Sequence, residues 1–438
     1  MIHKSAVHTE GVGEKLSLVN GIIIFGFCST LVLIPQAHWW FGFAALLSSL
    51  IACGVLVFAK EKPLSLSGGD LLIALMLVAF GGVWWLSVLI DGSLPLLARD
   101  GYRHLYLWPF VAASALLAMR IFTPSLHWLW LGVSCGAVGA GLIAIYERTI
   151  IGLDRADNGI NAIPFGNLSL LLAALSLMAC IYYVQQHQRS FYWLALFALI
   201  AAFLGFLASL LSGTRGGWIA IPFLFLLLLP ATSNLVSTRM RYIGLIAVIL
   251  AMAAIVAYPP TGVWPRIISV FNDANRYFIN SDADNSLGVR FELWRAGLVM
   301  FIEHPLFGVG EGAIQEWLPS LVSEEVAYER GVVYPHLHSD SVDTLARRGL
   351  LGILSLLLLY IVFIWSFAKE ALMFKHQLCV RLLAISGVMV IIAFLCFGLT
   401  QSMLRDLRGL SGFLGLCVAL WACLPQQPIA KTRTGPPV

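Results

Sequence analysis

The sequence predicts an all-α, polytopic membrane protein of about twelve transmembrane helices with one long loop, and three observations carry that prediction. Of 438 residues, 59% are hydrophobic and only 11% charged, where a soluble domain carries roughly 25% charged residues. Mean hydropathy is +0.87. Apolar stretches of about 20 residues, enough to cross a bilayer as a helix, recur along the chain. A soluble enzyme and a disordered chain are both excluded. The net charge of +4 is too small to suggest a nucleic-acid partner.

Taken in order, the spans fall at about 16–35, 39–59, 71–90, 104–119, 125–146, 163–184, 192–211, 217–231, 242–258, 350–368, 382–400 and 408–424. The eighth is short and leucine-rich, from Ile221 to Pro230. The run starting near Leu16 is too long for a signal peptide and lacks a small-residue cleavage site, so it reads as the first span. Cys28, Cys53, Cys135, Cys180, Cys396, Cys417 and Cys423 lie inside apolar stretches, with Cys379 in a short charged loop. That distribution offers no disulfide framework or zinc ribbon. The chain divides into a first membrane part (1–258), a polar insert (259–349) and a second membrane part with a tail (350–438). No internal repeat is evident.

Charge placement sets the expected orientation. All seven lysines fall on the side of the amino terminus, together with Arg120, Arg189, Arg239, Arg241, Arg381 and Arg433. The positive-inside rule then places both termini in the cytoplasm and the insert outside. All fourteen basic residues on the outer side are arginine. Arginine's planar fork binds phosphate or carboxylate with paired hydrogen bonds. Compositional drift and an outer site for a polyanionic lipid diphosphate both explain that bias.

Three stretches can carry chemistry. In Ser212-Gly-Thr-Arg215-Gly-Gly-Trp218, an arginine sits in a glycine-rich turn where backbone amides and a helix start favour an anion; a topological arginine is the alternative. In the second, Leu287, Phe291, Trp294, Leu298 and Phe301 recur at helical spacing up to Pro305. They predict an amphipathic helix lying on the membrane domain, with Arg290 one turn before Trp294. Phosphate binding by Arg290 and a surface pair with Glu292 or Glu303 are both open. The glycines of His304-Pro-Leu-Phe-Gly-Val-Gly-Glu-Gly312 read as a turn, since no strand precedes them and no lysine follows.

The third stretch is Pro335-His336-Leu-His338-Ser339-Asp340-Ser-Val-Asp343. Asp340 and Asp343 resemble a capping arrangement that opens a helix. A histidine just before a helix amino terminus stays neutral and can accept a proton. Two zinc ligands are the alternative, but no third stands at motif spacing, and no metal or cofactor is expected. Asp282-Ala-Asp284 formally matches a metal-holding Asp-x-Asp and reads as a solvated loop.

At these residues the chain resembles the O-antigen ligase and polymerase superfamily of membrane glycosyltransferases. Arg215 in its turn, Arg290 with Trp294, the His304–Gly312 stretch, His338-Ser339 before a helix ending at Gly349, and Asn161-Ala-Ile-Pro-Phe-Gly166 carry the resemblance. Spans five to ten and the insert are covered. Members often have Asn where Ser339 stands and an acid where Arg347-Arg348 stand. The resemblance implies a bacterial inner-membrane enzyme that moves a glycan from undecaprenyl diphosphate to a sugar hydroxyl of lipid A-core on the periplasmic face.

A glycosyl diphosphate already has a good leaving group, so the departing charge must be neutralised and the acceptor hydroxyl deprotonated. The expected roles are His338 as base, His336 as its support, Arg215 and Arg290 as a diphosphate clamp, and Trp294 and Ser339 as substrate contacts. An O-antigen polymerase, which uses a second lipid-linked glycan as acceptor, is the nearest alternative. A flippase would show duplicated interrupted spans, and a protein oligosaccharyltransferase would take a protein side chain.

Overall fold

The computed structural model describes residues 2–58, 66–90, 105–243 (apart from 160, 187 and 234), 246, 250, 253, 263–323 (apart from 281) and 336–425. Among them every regular element is a helix. The first membrane part holds α1 (Ile2–Thr30), α2 (Ala37–Phe58), α3 (Gly68–Ile90), α4 (Trp108–Ile121), α5 (Leu126–Tyr146), α6 (Ala162–Val184), α7 (Arg189–Leu211) and α8 (Ile221–Ala231). The insert holds α9 (Val263–Asn280), α10 (Ser286–Glu303) and α11 (Ile314–Ser323). The chain returns through α12 (Asp340–Met373), α13 (Leu378–Gly398) and α14 (Leu407–Ala422).

Eight of these helical stretches are long and apolar enough to cross a membrane, and three shorter apolar helices match the fourth, eighth and twelfth expected spans. The ninth expected span, about 242–258, lies largely outside the described residues, as do Arg99, Arg103, Pro335 and the tail from Lys431. α1 stops at Thr30, short of the expected end near residue 35, because Pro35 cannot continue a helix and a turn links it to α2.

α6 lies at the centre, with 83% of its apolar window buried, whereas 22% of the α2 window is. Small residues let the helices close up: Gly132 and Gly136 of α5 approach the α1 backbone at Phe25 and Cys28. Such contacts drive association where lipid and side chain are equally apolar. Exposed Phe43 and Trp193 mark the lipid-facing surface.

At the end of the bundle away from the insert, Arg120 of α4 is no simple topological charge. Its Nε donates to Asp70 Oδ1 at 2.8 Å, both side chains are buried, and Trp421 Nε1 donates to the same oxygen at 2.7 Å. Arg120 also donates to the Leu424 carbonyl, closing the carboxyl end of α14. One ion pair therefore ties α3, α4 and α14.

The α12 helix is two helices. Gly349 has φ 59° and ψ −151°, so a short helix from Asp340 ends there and the spanning helix starts at Leu350, in line with the expected helix end. The glycine-rich stretch after α10 stitches this break. Val309 N and Gly310 N donate to the Ala346 and Arg347 carbonyls, at 2.9 and 3.1 Å. Leu350 N and Leu351 N donate back to Pro305 and Leu306, at 2.8 and 3.2 Å. Both sets of orphaned helix-end groups are satisfied. A Cβ on Gly349 would lie 2.6 Å from the Leu306 carbonyl carbon.

The buried face of α10 differs from the expected one. Val289, Leu293, Ala296 and Met300 form a small core with Ile314, Leu318 and Leu321 of α11 and with Leu337 and Ala346. Leu298 is exposed, and Phe291 and Trp294 are half-buried, Phe291 packing in a tilted arrangement against Tyr277 and Phe278. The sequence contains two apolar stripes at helical spacing, and packing against α12 selects the second.

Candidate functional site

The site is assembled around a segment that spacing arguments passed over. α13 ends at Gly398, and Leu399–Asp406 turns back to start α14, where Asp406 Oδ1 accepts from Arg408 N and Gly409 N. Within this turn Gln401 is buried, at 3% exposure. Its Oε1 lies 2.8 Å from His338 Nδ1 and its Nε2 lies 3.2 Å from His336 Nε2. One amide thus joins both histidines, whose ring centroids are 4.4 Å apart.

His338 occupies the left-handed region, at φ 52°, a conformation few non-glycine residues adopt and one that often marks a site. It immediately precedes Ser339, the cap residue of α12. The expected Asp340–Asp343 cap is corrected here. Ser339 makes no side-chain cap bond, and the two carboxylates hold neighbours instead. Asp340 Oδ1 accepts from Leu404 N at 2.8 Å, and Asp343 accepts from Leu337 N and Arg347 Nε. Helix start, histidine loop and the 399–406 turn become one unit.

Burial holds the His338 imidazole at about 4, well below the usual histidine range; the nearby charges of His336 and Arg290 push the same way, against the Gln401 bond and Asp343. His338 is therefore neutral at ordinary pH. Arg290 of α10 is among the smaller of these influences, well behind burial. Trp294, one turn on, has a buried indole N–H without a partner among the described residues. Glu292, one candidate for a surface pair, takes the Tyr277 hydroxyl at 2.5 Å.

Arg215 is exposed, and its turn is held from below. Thr214 Oγ1 donates to the Ala162 carbonyl at 2.7 Å, Thr214 N to Ser212 Oγ at 3.2 Å, and Arg155 Nε to the Ser212 carbonyl at 2.8 Å. A Cβ on Gly166 would collide with Ser212 Oγ, and one on Gly216 would collide with Thr400 Oγ1. The Asn161–Gly166 stretch is thus the seat of the arginine turn, and that turn abuts Thr400, one residue from Gln401.

A buried ionic layer supports the whole. Glu311 pairs with both Arg348 and Arg405, Arg347 pairs with Asp343 and donates to the Glu311 carbonyl, and Arg348 stacks 3.7 Å above the Trp84 ring. Arg347-Arg348, standing where an acid was the family expectation, serve as bracing. Asp282 is engaged by Arg276, at 3.0 Å from Nε, and by Asp284 N at 2.9 Å. Among the described residues no three His, Cys, Asp or Glu side chains gather as a metal cluster.

Gln401 is the residue missed by spacing. Its signal was the polar run Thr400-Gln-Ser402 between two apolar spans, with Arg405, Asp406 and Arg408 close behind.

Comparisons with known proteins converge on these elements. Over 402 residues the chain is 25% identical to an uncharacterized protein of Haemophilus influenzae strain Rd, covering 90% of this chain and 96% of that one. It is 25% identical over 232 residues to an O-antigen ligase of Escherichia coli K12, covering 52% of this chain and 54% of the ligase. The family model for O-antigen ligase matches residues 200–357, the stretch that holds the Arg215 turn, α10, the glycine stitch and the histidine loop. Through that stretch the chain is similar to the O-antigen ligase family.

Proposed function

We propose that this protein is an O-antigen ligase of the bacterial inner membrane, both termini cytoplasmic and the 259–349 segment periplasmic. It takes a glycan from an undecaprenyl-diphosphate-linked donor and transfers it to a sugar hydroxyl of lipid A-core. The observation that carries this reading is the neutral, amide-oriented His338 within the family-matched stretch, which also holds Arg215 and Arg290.

The amide orientation sets the tautomer. An amide oxygen only accepts, so His338 Nδ1 carries the proton and Nε2 presents its lone pair. That lone pair takes the proton of the acceptor hydroxyl as its oxygen attacks the anomeric carbon. The bond to the diphosphate breaks, the electron pair leaves with undecaprenyl diphosphate, and the configuration inverts. Arg215 and Arg290 neutralise the growing negative charge. Trp294 and Ser339 line the sugar path, and His336 steadies the amide.

An imidazole held near 4 is a weak base. Arg290 contributes to that low value, and a donor diphosphate seated on Arg290 would cancel its charge. Donor binding would thereby remove one of the smaller contributions to that low value, burial being the largest.

The test is His338→Ala, assayed for transfer and for donor binding. The expected result is a loss of transfer of at least a hundredfold, in the range of a lost general base, with donor still bound. Full activity rules out the base role. In cells, deletion should leave lipid A-core bare while lipid-linked polymer accumulates; lipid A-core carrying a single repeat would instead mark a polymerase.

A further inference from the structure

We propose that the crevice among α1, α2, α4 and α14 binds a phosphate-headed membrane lipid, its anionic head held by Arg408, His38 and Trp108. This site is separate from the histidine pair and does not depend on the transferase reading.

The crevice, about 60 Å³ between the helices, is lined almost wholly by apolar side chains, among them Phe27, Phe41, Trp108, Ala115 and Leu414. Its polar end is defined by helical register. Arg408 and His38 lie just beyond the lining residues, Arg408 one turn before Ser411 on the same α14 stripe and His38 one turn before Phe41 and Gly42 on the same α2 stripe. Trp108 lines the crevice itself, and its ring centroid is 5.6 Å from that of His38. Arg408 Nε donates to the Pro35 carbonyl at 3.3 Å, which brings the guanidinium to the start of α2.

Three helices begin at this end, α2 at Ala37, α4 at Trp108 and α14 at Leu407. The dipoles of α2 and α4 favour an anion, while the first α14 amides are already taken by the Asp406 carboxylate. Arg408 is 6% exposed, and among the described residues no carboxylate forms an ion pair with it. Asp406, two residues earlier, is the carboxylate that acts on it, but its Oδ1 is engaged by the α14 amides and not by the guanidinium, and a buried cation so weakly countered is costly.

Two more polar atoms wait there. His38 Nε2 and Trp108 Nε1 are buried, in residues 5% and 7% exposed, and neither has a hydrogen-bond partner in the described residues. Buried polar groups are ordinarily paired. One phosphate would answer all three, and the apolar crevice below would take part of an acyl or prenyl chain, the rest lying in the surrounding lipid. Basic pockets between spanning helices hold anionic lipid heads in this way.

The experiment releases the full-length protein from nanodiscs and counts bound lipid by native mass spectrometry. The probes are phosphatidylglycerol and a diacylglycerol with the same chains. One phosphatidylglycerol per chain should be retained, and the phosphate-free diacylglycerol lost. Arg408→Gln should weaken retention at least tenfold. Ala115→Phe, which fills the crevice and leaves Arg408 intact, should do the same and decides the matter if the first variant fails to fold. Retention by either variant at the wild-type level overturns the proposal. So does equal retention of diacylglycerol, which would leave only an apolar crevice. Displacement of the lipid by millimolar inorganic phosphate would also overturn it, marking a free-anion site.

Discussion

Replacing Gln401 with Glu preserves size and the oxygen facing His338, and adds a negative charge where the amide oxygen now sits 2.8 Å from Nδ1. An opposite charge at that range raises a neighbouring pKa by roughly 1–3 units. His338, held at about 4 in the native protein, should therefore rise to roughly 5–7. The sign follows from which form works. The neutral imidazole is the base, so transfer is present above the folded pKa and is lost as pH falls through it. With the variant near 6, about a tenth of its sites hold the free base at pH 5, against about nine-tenths in the native protein. Transfer at pH 5 should drop roughly tenfold, while rates at pH 8 stay within about a factor of three. The assay is turnover of purified protein with lipid-linked glycan and lipid A-core, from pH 4 to pH 9. Superimposable acid limbs would refute the Gln401 contact as the setter of His338. A variant inactive at every pH would show that the amide acts through architecture alone.

Arg215→Lys replaces a fork with a point charge, and the loss of one charge-assisted bond, about 1.5–3 kcal/mol, should lower kcat/KM by roughly ten- to a hundredfold; native turnover would reduce Arg215 to a topological charge. Glu311→Gln leaves Arg348 and Arg405 buried without their shared carboxylate. It should cost about 3–5 kcal/mol, read as a lowered melting temperature in detergent, and an unchanged midpoint would discount the ionic layer. Gly349→Ala forces a Cβ onto a residue at φ 59°, against the Leu306 backbone. A loss of at least about 1–3 kcal/mol by the same measurement is expected, and native stability would refute the stitched break.

Hydropathy read the spanning architecture well because lipid imposes one demand on every span: enough apolar length with its backbone bonded internally. The same demand says nothing of helix ends, so the extents of α1, α12 and α13 differ by several residues from the apolar runs that announced them. Arg120 shows a second limit. Counting charges made it a topological marker, yet its partners Asp70 and Trp421 come from helices 50 and 301 residues away in sequence. Only the packed bundle reveals that this charge is neutralised.

The site repeats that lesson at closer range. His336 and His338 were visible because two histidines before a helix start are uncommon in an apolar chain. Their orientation was not, because it is fixed by Gln401, 63 residues beyond His338. The glycines after His304 were legible as a turn, but their use required knowing that α12 breaks at Gly349. Gly308 and Gly349 each take positive φ, and each sits where a side chain would strike the other's strand of backbone. Neither explains the other until the two segments are side by side. The break also has a chemical consequence. It ends the short helix nine residues after Asp340, so His338 sits before a brief, separately braced helix and not at the tip of a 34-residue rod. Glu311, Arg348 and Arg405 then lock that short helix to the turn that carries Gln401. The imidazole is held by groups that do not tilt with the spanning helix, which is what a base needs if a displacement of about 1 Å can cost two orders of magnitude in rate.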